Sequence, residues 1–166
     1  MMEKEAAMPA TQTTQTLGIR QARREDVPAI VRLLADDPLG GTREEPSDPL
    51  PQAYWDAFDA MVVQGGNMLI VAEQDGVVVG CLQLTFIPSL TLRGTKRAQI
   101  EGVRVDASRR SQHIGERMIR HAMELARAEG CGVMQLTTNK VRADAQRFYE
   151  RLGFTASHVG MKATLA

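Results

Sequence analysis

The stretch "VDASRRSQHIGERMIR" (residues 105–120) gathers residues suited to holding an anion: Arg109, Arg110, Arg117 and Arg120, with His113 and Gly115 among them. An apolar run at 103–105 precedes it and a helical pattern follows, so the cluster flanks a strand-to-helix turn. The first turn of that helix falls near His113 to Glu116. Backbone N–H groups at a helix start have no partner inside the helix, and the helix dipole adds partial positive charge there. A glycine at that end lets a phosphate approach the backbone closely. Only Asp106 and Glu116 oppose the arginines within the stretch. The same residues also fit the solvated face of an ordinary surface helix, and a strand–turn–helix with one glycine does not decide between the two. Other chemistry has less support. Cys81 and Cys131 each sit beside apolar residues and glycine, far apart and without the short Cys/His spacing of a zinc site. They read as reduced thiols, and no metal site is expected.

Positioning such a cluster requires a strand before it and a helix after it, and the pattern supplies both. "LGIRQA" (17–22) reads as a first strand. "REDVPAIVRLLADD" (24–37) reads as a helix, with Val27, Ile30, Val31 and Leu34 on one face. The prolines and glycines of 38–51 mark a loop. A second helix follows at 52–64, with Trp55, Phe58, Ala60 and Val62 near one side. Asp75-Gly76 between "NMLIVAEQ" and "VVVGCLQLTFI" signals a tight hairpin. A strand is expected at 97–106, where Ile100, Gly102 and Arg104 alternate with Glu101, Val103 and Val105. Then come a helix at 114–129, a strand at 132–138, a helix at 142–152 and a last strand in "HVGMKATL" (158–165).

With 166 residues the chain suits one domain. Residues 1–16, polar and rich in Thr and Gln, read as a disordered tail, leaving 17–166 as the folded unit. Twenty acidic and twenty basic residues cancel, which argues against binding nucleic acid through bulk charge. The arginine cluster also lacks interleaved aromatics. Neither a signal peptide nor a membrane-spanning run is legible, so a cytoplasmic protein without a membrane partner is expected.

The order of the pieces goes further. "VDASRRSQHIG" resembles the acetyl-coenzyme A loop of the GCN5-related N-acetyltransferase (GNAT) superfamily, whose pattern is Arg/Gln-x-x-Gly-x-Gly/Ala. Arg110 takes the first position, Ser111 and Gln112 the next two, His113 the first glycine position, Ile114 the next and Gly115 the last. "DAQRFYERLGF" (144–154) is similar to the family's Ala-x-x-Phe/Leu-Tyr-x-x-x-Gly-Phe segment. The resemblance spans residues 18 to 165, and its end is also similar to bacterial small-molecule N-acetyltransferases, including aminoalkylphosphonate acetyltransferases. His113 departs from the pattern by putting a β-carbon where the family usually has none. A positive φ there costs on the order of 1 kcal/mol or more.

The resemblance implies an α/β (α+β) fold with a single mixed, mostly antiparallel sheet, one splayed strand pair and helices on both faces. It implies acetyl-CoA as co-substrate, its pantetheine paired with backbone groups at Val103, Arg104 and Val105. Amides from Ser111 and Gln112 through His113, Ile114, Gly115 and Glu116 would wrap the pyrophosphate, with Arg110 adding charge. Ala145 would let the pantetheine arm pass, and Asn139 or Arg142 would stand where the family often has Asn. Glu101 is the implied general base and Tyr149 the implied acid. Direct transfer to a small-molecule amine follows. A non-catalytic acyl-CoA-binding or regulatory module is an alternative, as is a peptide or protein N-acetyltransferase, and a homodimer is possible in this superfamily. Seven acids between Asp36 and Asp59 (Asp36, Asp37, Glu44, Glu45, Asp48, Asp56, Asp59) oppose one base, Arg43, in the region that would cover the acceptor. They would favour a cationic acceptor, or they are simply a solvated loop.

Overall fold

Short apolar, β-branched runs lay down five strands: β1 (Leu17–Gln21), β2 (Asn67–Gln74), β3 (Val77–Ile87), β4 (Lys96–Val105) and β5 (Cys131–Leu136). They form one sheet in the order β1-β2-β3-β4-β5, antiparallel up to β4, with β5 joining β4 in parallel. This computed structural model describes residues 16–36 and 41–165, so the tail expected over 1–16 lies outside the described residues except for Thr16, as does Asp37. Asp75 (φ 52°) and Gly76 (φ 79°) make the two-residue β2–β3 turn in the left-handed region, as an Asp-Gly hairpin requires.

Two helices cover one face and two the other. A 3₁₀ turn (Arg24–Asp26) leads into α1 (Val27–Ala35), and α2 (Gln52–Gln64) follows the loop. Val27, Ile30, Val31, Leu33 and Phe58 bury themselves there against Val71 and Cys81. After a single turn, α3 (Thr91–Gly94), the opposite face receives α4 (Ile114–Ala128) and the rim helix α5 (Ala143–Arg151). Ile114, Met118, Ile119, Ala122 and Ala126 of α4 pack on Ile70, Leu82, Leu84 and Ile100. Each such large side chain, removed from water, is worth roughly 1.5–3 kcal/mol, which makes this face the principal core. The expected fold class stands: a mixed, mostly antiparallel sheet with helices on both faces. Among the described residues no helix is long and apolar enough to cross a membrane, and no group of three or more His, Cys, Asp and Glu could hold a metal ion.

Two elements differ from the pattern reading. The segment 158–165 forms no strand: Val159, Met161 and Leu165 are 75%, 92% and 91% exposed. Their period-two spacing is a strand's, but no ladder takes it up. On α2 the inward face is Tyr54, Trp55, Phe58 and Met61, whereas Ala60 and Val62 are exposed. The helix packs obliquely, through its aromatic side.

The start of α1 is tied to the sheet by one ionic cluster. The Arg20 guanidinium donates to both Asp26 oxygens (2.7 and 3.0 Å) and to Glu73 (2.6 Å), joining β1, β2 and the helix entry. Asp26, nearly buried, also accepts from the Arg23 N–H at 2.7 Å. Arg20 first, and then the Arg23 amide, hold the Asp26 carboxyl below the usual aspartate range against the opposing effect of burial. A lowered carboxyl pKa stabilises the fold above the unfolded aspartate value, and that stability is lost as pH falls through the folded value. Asp26→Asn is expected to cost about 2 kcal/mol at neutral pH. In urea titrations the gap from the parent should narrow as pH drops below about 4; a gap that does not change with pH would refute the ionic assignment.

Candidate functional site

The site begins with an irregularity in β4. Cys81 pairs with Arg104 and Gln83 with Glu101, so two steps on β3 answer three on β4. The extra residue is accommodated at Gly102, whose φ of +60° is left-handed, a glycine bulge. Leu34 of α1 lies over it: a Cβ at Gly102 would meet Leu34 Cδ2 at 3.6 Å. The bulge corrects the alternation expected from sequence. Ala98 and Ile100 face the α4 core before it, and Val103 and Val105 pack toward that same core after it. The parallel ladder to β5 ends at Ile100↔Leu136, while β4 runs on to Val105 paired with β3. Beyond that point β4 and β5 separate. The Val103 carbonyl there accepts from the guanidinium of Arg104, Nη1 at 2.8 Å.

The turn expected to hold an anion follows directly. Asp106 organises it by accepting from the Ser108 N–H (2.7 Å) and hydroxyl (2.6 Å), and these bonds hold its carboxyl below the usual range. Ser111 (φ 68°) and His113 (φ 58°, ψ 15°) are both left-handed, and His113 is the residue from which α4 starts. The strain expected at His113 is therefore present. Its exposed ring lies with Nδ1 3.4 Å from Glu116 Oε2, and Glu116 in turn pairs with Arg120 at 2.8 Å. Arg120 first, then His113, draw the Glu116 carboxyl below its ordinary range.

The four arginines divide into two kinds. Arg109 donates to Gln74 Oε1 (3.2 Å), Arg117 to the Leu17 carbonyl (3.2 Å) and Arg120 to Glu116. Arg110 is exposed, and its guanidinium makes no hydrogen bond or salt bridge among the described residues. Of the four, it is the arginine whose guanidinium the described residues leave uncommitted.

Gly115 is where three elements converge. A Cβ built on it would meet Phe148 Cζ of α5 and Val105 Cγ2 of β4, each at 3.6 Å. That is ordinary contact, so the protein's own packing does not demand glycine here. The half-buried Gly115 therefore puts the start of α4 in contact range of both the end of β4 and α5. The two motifs, far apart in sequence, meet at this point.

The remaining implied residues sort by exposure. Ile114 is buried in the core, so only its backbone is available, whereas Ser111 and Gln112 are exposed. Ala145 is half-buried on α5. Asn139 is exposed, and its side-chain oxygen accepts the Val141 N–H (3.1 Å), shaping the turn into α5; half-buried Arg142 precedes the helix. Tyr149 packs edge-on to Phe148 (5.1 Å between centroids) and Phe154 (5.8 Å). Its hydroxyl has no hydrogen-bond partner among the described residues. Burial pushes that hydroxyl above the usual tyrosine range, while the charges of Arg104 and Arg142 pull the other way. Glu101 is exposed on β4 opposite Gln83, on the α1/α2 side of the sheet. Tyr149 packs against the α4 side. The structure thus sets them on opposite faces, with the β4–β5 opening between.

The acidic stretch is partly spent within the fold. Asp59 pairs with Arg24 (3.1 Å), Asp56 accepts from Gln52 (2.9 Å) and Glu44 accepts from the Tyr54 hydroxyl (3.0 Å). Tyr54 also takes the Glu45 N–H (2.9 Å), which ties the loop to α2. What the sequence reading missed is a polar row on the sheet beside Glu101: Asn67, Gln83, Gln99 and Gln135. Its signal was the alternation of amides with Leu and Ile along β3 and β4.

Comparison with known proteins agrees with this geometry. A model of the Acetyltransferase (GNAT) family matches residues 27–154. The chain is 34% identical over 107 residues to the aminoalkylphosphonate N-acetyltransferase of Salmonella typhimurium, covering 64% of this chain and 69% of that protein. It is 30% identical over 144 residues to the L-methionine sulfoximine/L-methionine sulfone acetyltransferase of Pseudomonas paraeruginosa, covering 84% and 80%. The crystal structure of a transcriptional regulator from Bacillus halodurans C-125 superposes with a TM-score of 0.88 at 47% identity, over 90% of this chain and 100% of that one.

The left-handed backbone at His113 generates a stability prediction. His113→Gly should relieve strain and stabilise the fold by about 0.5–1 kcal/mol, with the gain limited by glycine's larger unfolded-state entropy. Chemical denaturation measures it. A destabilised variant would mean that the ring's contact with Glu116 outweighs the backbone strain.

Proposed function

The chain belongs to the Acetyltransferase (GNAT) family, and from that premise we propose that it moves the acetyl group of acetyl-CoA directly to the amine of a small molecule. The observation that carries this reading is the convergence at Gly115. The start of α4, the Val105 end of the splayed strand β4 and Phe148 of α5 meet there, five residues after Arg110, whose guanidinium is uncommitted among the described residues. Backbone amides from Ser111 to Glu116 and the Arg110 guanidinium suit a pyrophosphate. Val103, Arg104 and Val105 offer backbone to the pantetheine arm, with Ala145 across the cleft. Seating that arm on the Val103 carbonyl requires the Arg104 guanidinium to withdraw from it. Bound acetyl-CoA supplies the acetyl group as an activated thioester.

The chain's own residues handle the protons. An alkylamine is largely protonated at neutral pH, as a lysine is, and is then no nucleophile. Glu101, exposed at the bulge, takes that proton directly or through water. Tyr149, kept protonated by burial, gives its hydroxyl proton to the departing sulfur. A covalent acetyl-cysteine is disfavoured. Cys81 is buried with its thiol pushed up to about 12, and burial raises Cys131 as well, so neither presents a thiolate at neutral pH. A small amine as acceptor is supported by the relatives from Salmonella and Pseudomonas, whose names state such substrates. A second reading, a regulatory module without turnover, draws on one fact: the Bacillus halodurans relative is named a transcriptional regulator.

An amine panel followed by thiol release from acetyl-CoA, with calorimetry of acetyl-CoA binding, tests both. Binding with turnover supports the enzyme, and binding without turnover supports the regulatory module. No binding at millimolar ligand removes both. Glu101→Gln should lower kcat about a hundredfold, with the largest deficit at low pH where more amine is protonated. An unchanged pH–rate profile takes Glu101 out of the mechanism.

A further inference from the structure

Beside Glu101 the sheet presents a face unlike an ordinary helix-covered one. Where α1 and α2 lie on it, β2 and β3 contribute Val71 and Cys81, both buried. Further along the same face the register aligns Asn67 with Thr85, Thr85 with Gln99 and Gln99 with Gln135, one polar row across β2, β3, β4 and β5. Gln83 stands next to it, opposite Glu101. These side chains are half-buried and hold one another. Gln83 and Thr85 donate to Asn67 Oδ1 (3.0 and 3.2 Å), and Gln135 donates to Gln99 Oε1 (2.8 Å). Gln99 also donates to the Ile100 carbonyl (3.4 Å), and this mutual bonding fixes the amides while each glutamine keeps some donor or acceptor capacity.

Charge enters this face at two points of β4. One is Glu101. The other is Arg97, two residues beyond Gln99 on the same face, opposite Ile87 and Val133. Its Nε is buried and meets no hydrogen-bond partner, and its guanidinium makes no hydrogen bond or salt bridge among the described residues. Only this Nε is shut from water in the half-buried side chain, and an anion delivered by a ligand would give the guanidinium the charge-assisted bonds that the protein does not. Four residues of strand separate the two charges, about 13 Å between Cα positions, and side chains leaning along the strand shorten that span.

We propose that this face is the acceptor floor and that the acceptor is a small amine bearing an anionic group at its far end. The amine goes to Glu101 at the β4–β5 opening, the anion to Arg97, and the neutral body lies over Gln83, Gln99 and Gln135. The proposal rests on the acetyltransferase reading above and supplies its substrate class. An uncharged amine would leave Arg97 unanswered. A polycation would meet its repulsion.

The test uses the full chain and two matched acceptor series: β-alanine, γ-aminobutyrate and ε-aminocaproate against the primary amides of the same three. Steady-state KM and kcat are read by thiol release, with acetyl-CoA affinity from calorimetry as an independent control of the folded donor site. For at least one length the carboxylate should show a KM about tenfold or more below its amide. Arg97→Met should raise the carboxylate KM to the amide value, and Arg97→Lys should restore part of the difference. Equal KM for carboxylate and amide in the parent overturns the proposal without any variant. So does a preference that survives Arg97→Met. Rejection of every carboxylate while acetyl-CoA still binds overturns it and leaves the donor reading intact, whereas loss of acetyl-CoA binding brings down the donor reading itself.

Discussion

One backbone insertion governs the site. A strand alternates its side chains strictly, so β4 without a bulge would carry Gly102 and Arg104 toward the α4 core and turn Val103 and Val105 outward. Placing a single left-handed residue at Gly102 reverses the parity from that point on. Val103 and Val105 then close the core under α4 while the strand bends, and its pairing with β5 stops at Ile100. The same insertion therefore keeps the interior apolar and opens the sheet. Glycine suits the position because a left-handed backbone costs an ordinary residue about 1–2 kcal/mol.

The opening matters because of what is packed at its mouth. Met118 fits against the sheet at Gly80, where an added Cβ would come within 2.8 Å of its sulfur, so α4 lies close on the strands. That close seating brings the first turn of α4 to the Val105 and Phe148 side chains, with Gly115 at the meeting point. Electrostatics refines the same spot. Arg109, Arg117 and Arg120 are held by Gln74, the Leu17 carbonyl and Glu116, so they fix the turn and helix in place. Arg110 then acts as a lone side-chain charge beside the helix dipole. Of the four neighbouring arginines, three are thus occupied in holding the turn and helix, and the guanidinium of Arg110 is uncommitted among the described residues.

The fold was legible where one signal sufficed. Short apolar, β-branched runs marked β1 to β5, Asp75-Gly76 marked the hairpin, and the apolar stripe of α4 marked its buried face within a residue or two. Gly102 was visible as a glycine inside a strand, a known mark of a bulge, but its effect on side-chain parity depends on pairing with β3, which no local pattern encodes. The segment 158–165 failed in the opposite way. Val159, Met161 and Leu165 alternate like a strand, yet alternation is only a capacity to pair, and here no ladder takes it up. The polar row across β2 to β5 was invisible because its members come from four separate stretches and only the register aligns them.

The two faces of the sheet complete the division between fold and site. Leu82, Leu84 and Phe86 of β3 sink into the α4 core, whereas the intervening Gln83 and Thr85 are half-buried amide and hydroxyl. A half-buried polar side chain weakens a fold unless it is bonded, and here the bonds run sideways along the sheet, through Asn67 and between Gln99 and Gln135. Stability is thus supplied by the α4 face and the cluster under α1. The polar row is relieved of packing duty and can keep donors and acceptors turned outward. Because the bulge sits between Ile100 and Val103, this row ends where the strands part, so a molecule resting on the amides would reach the opening from the side of Glu101 while the start of α4 and Tyr149 address it from the other.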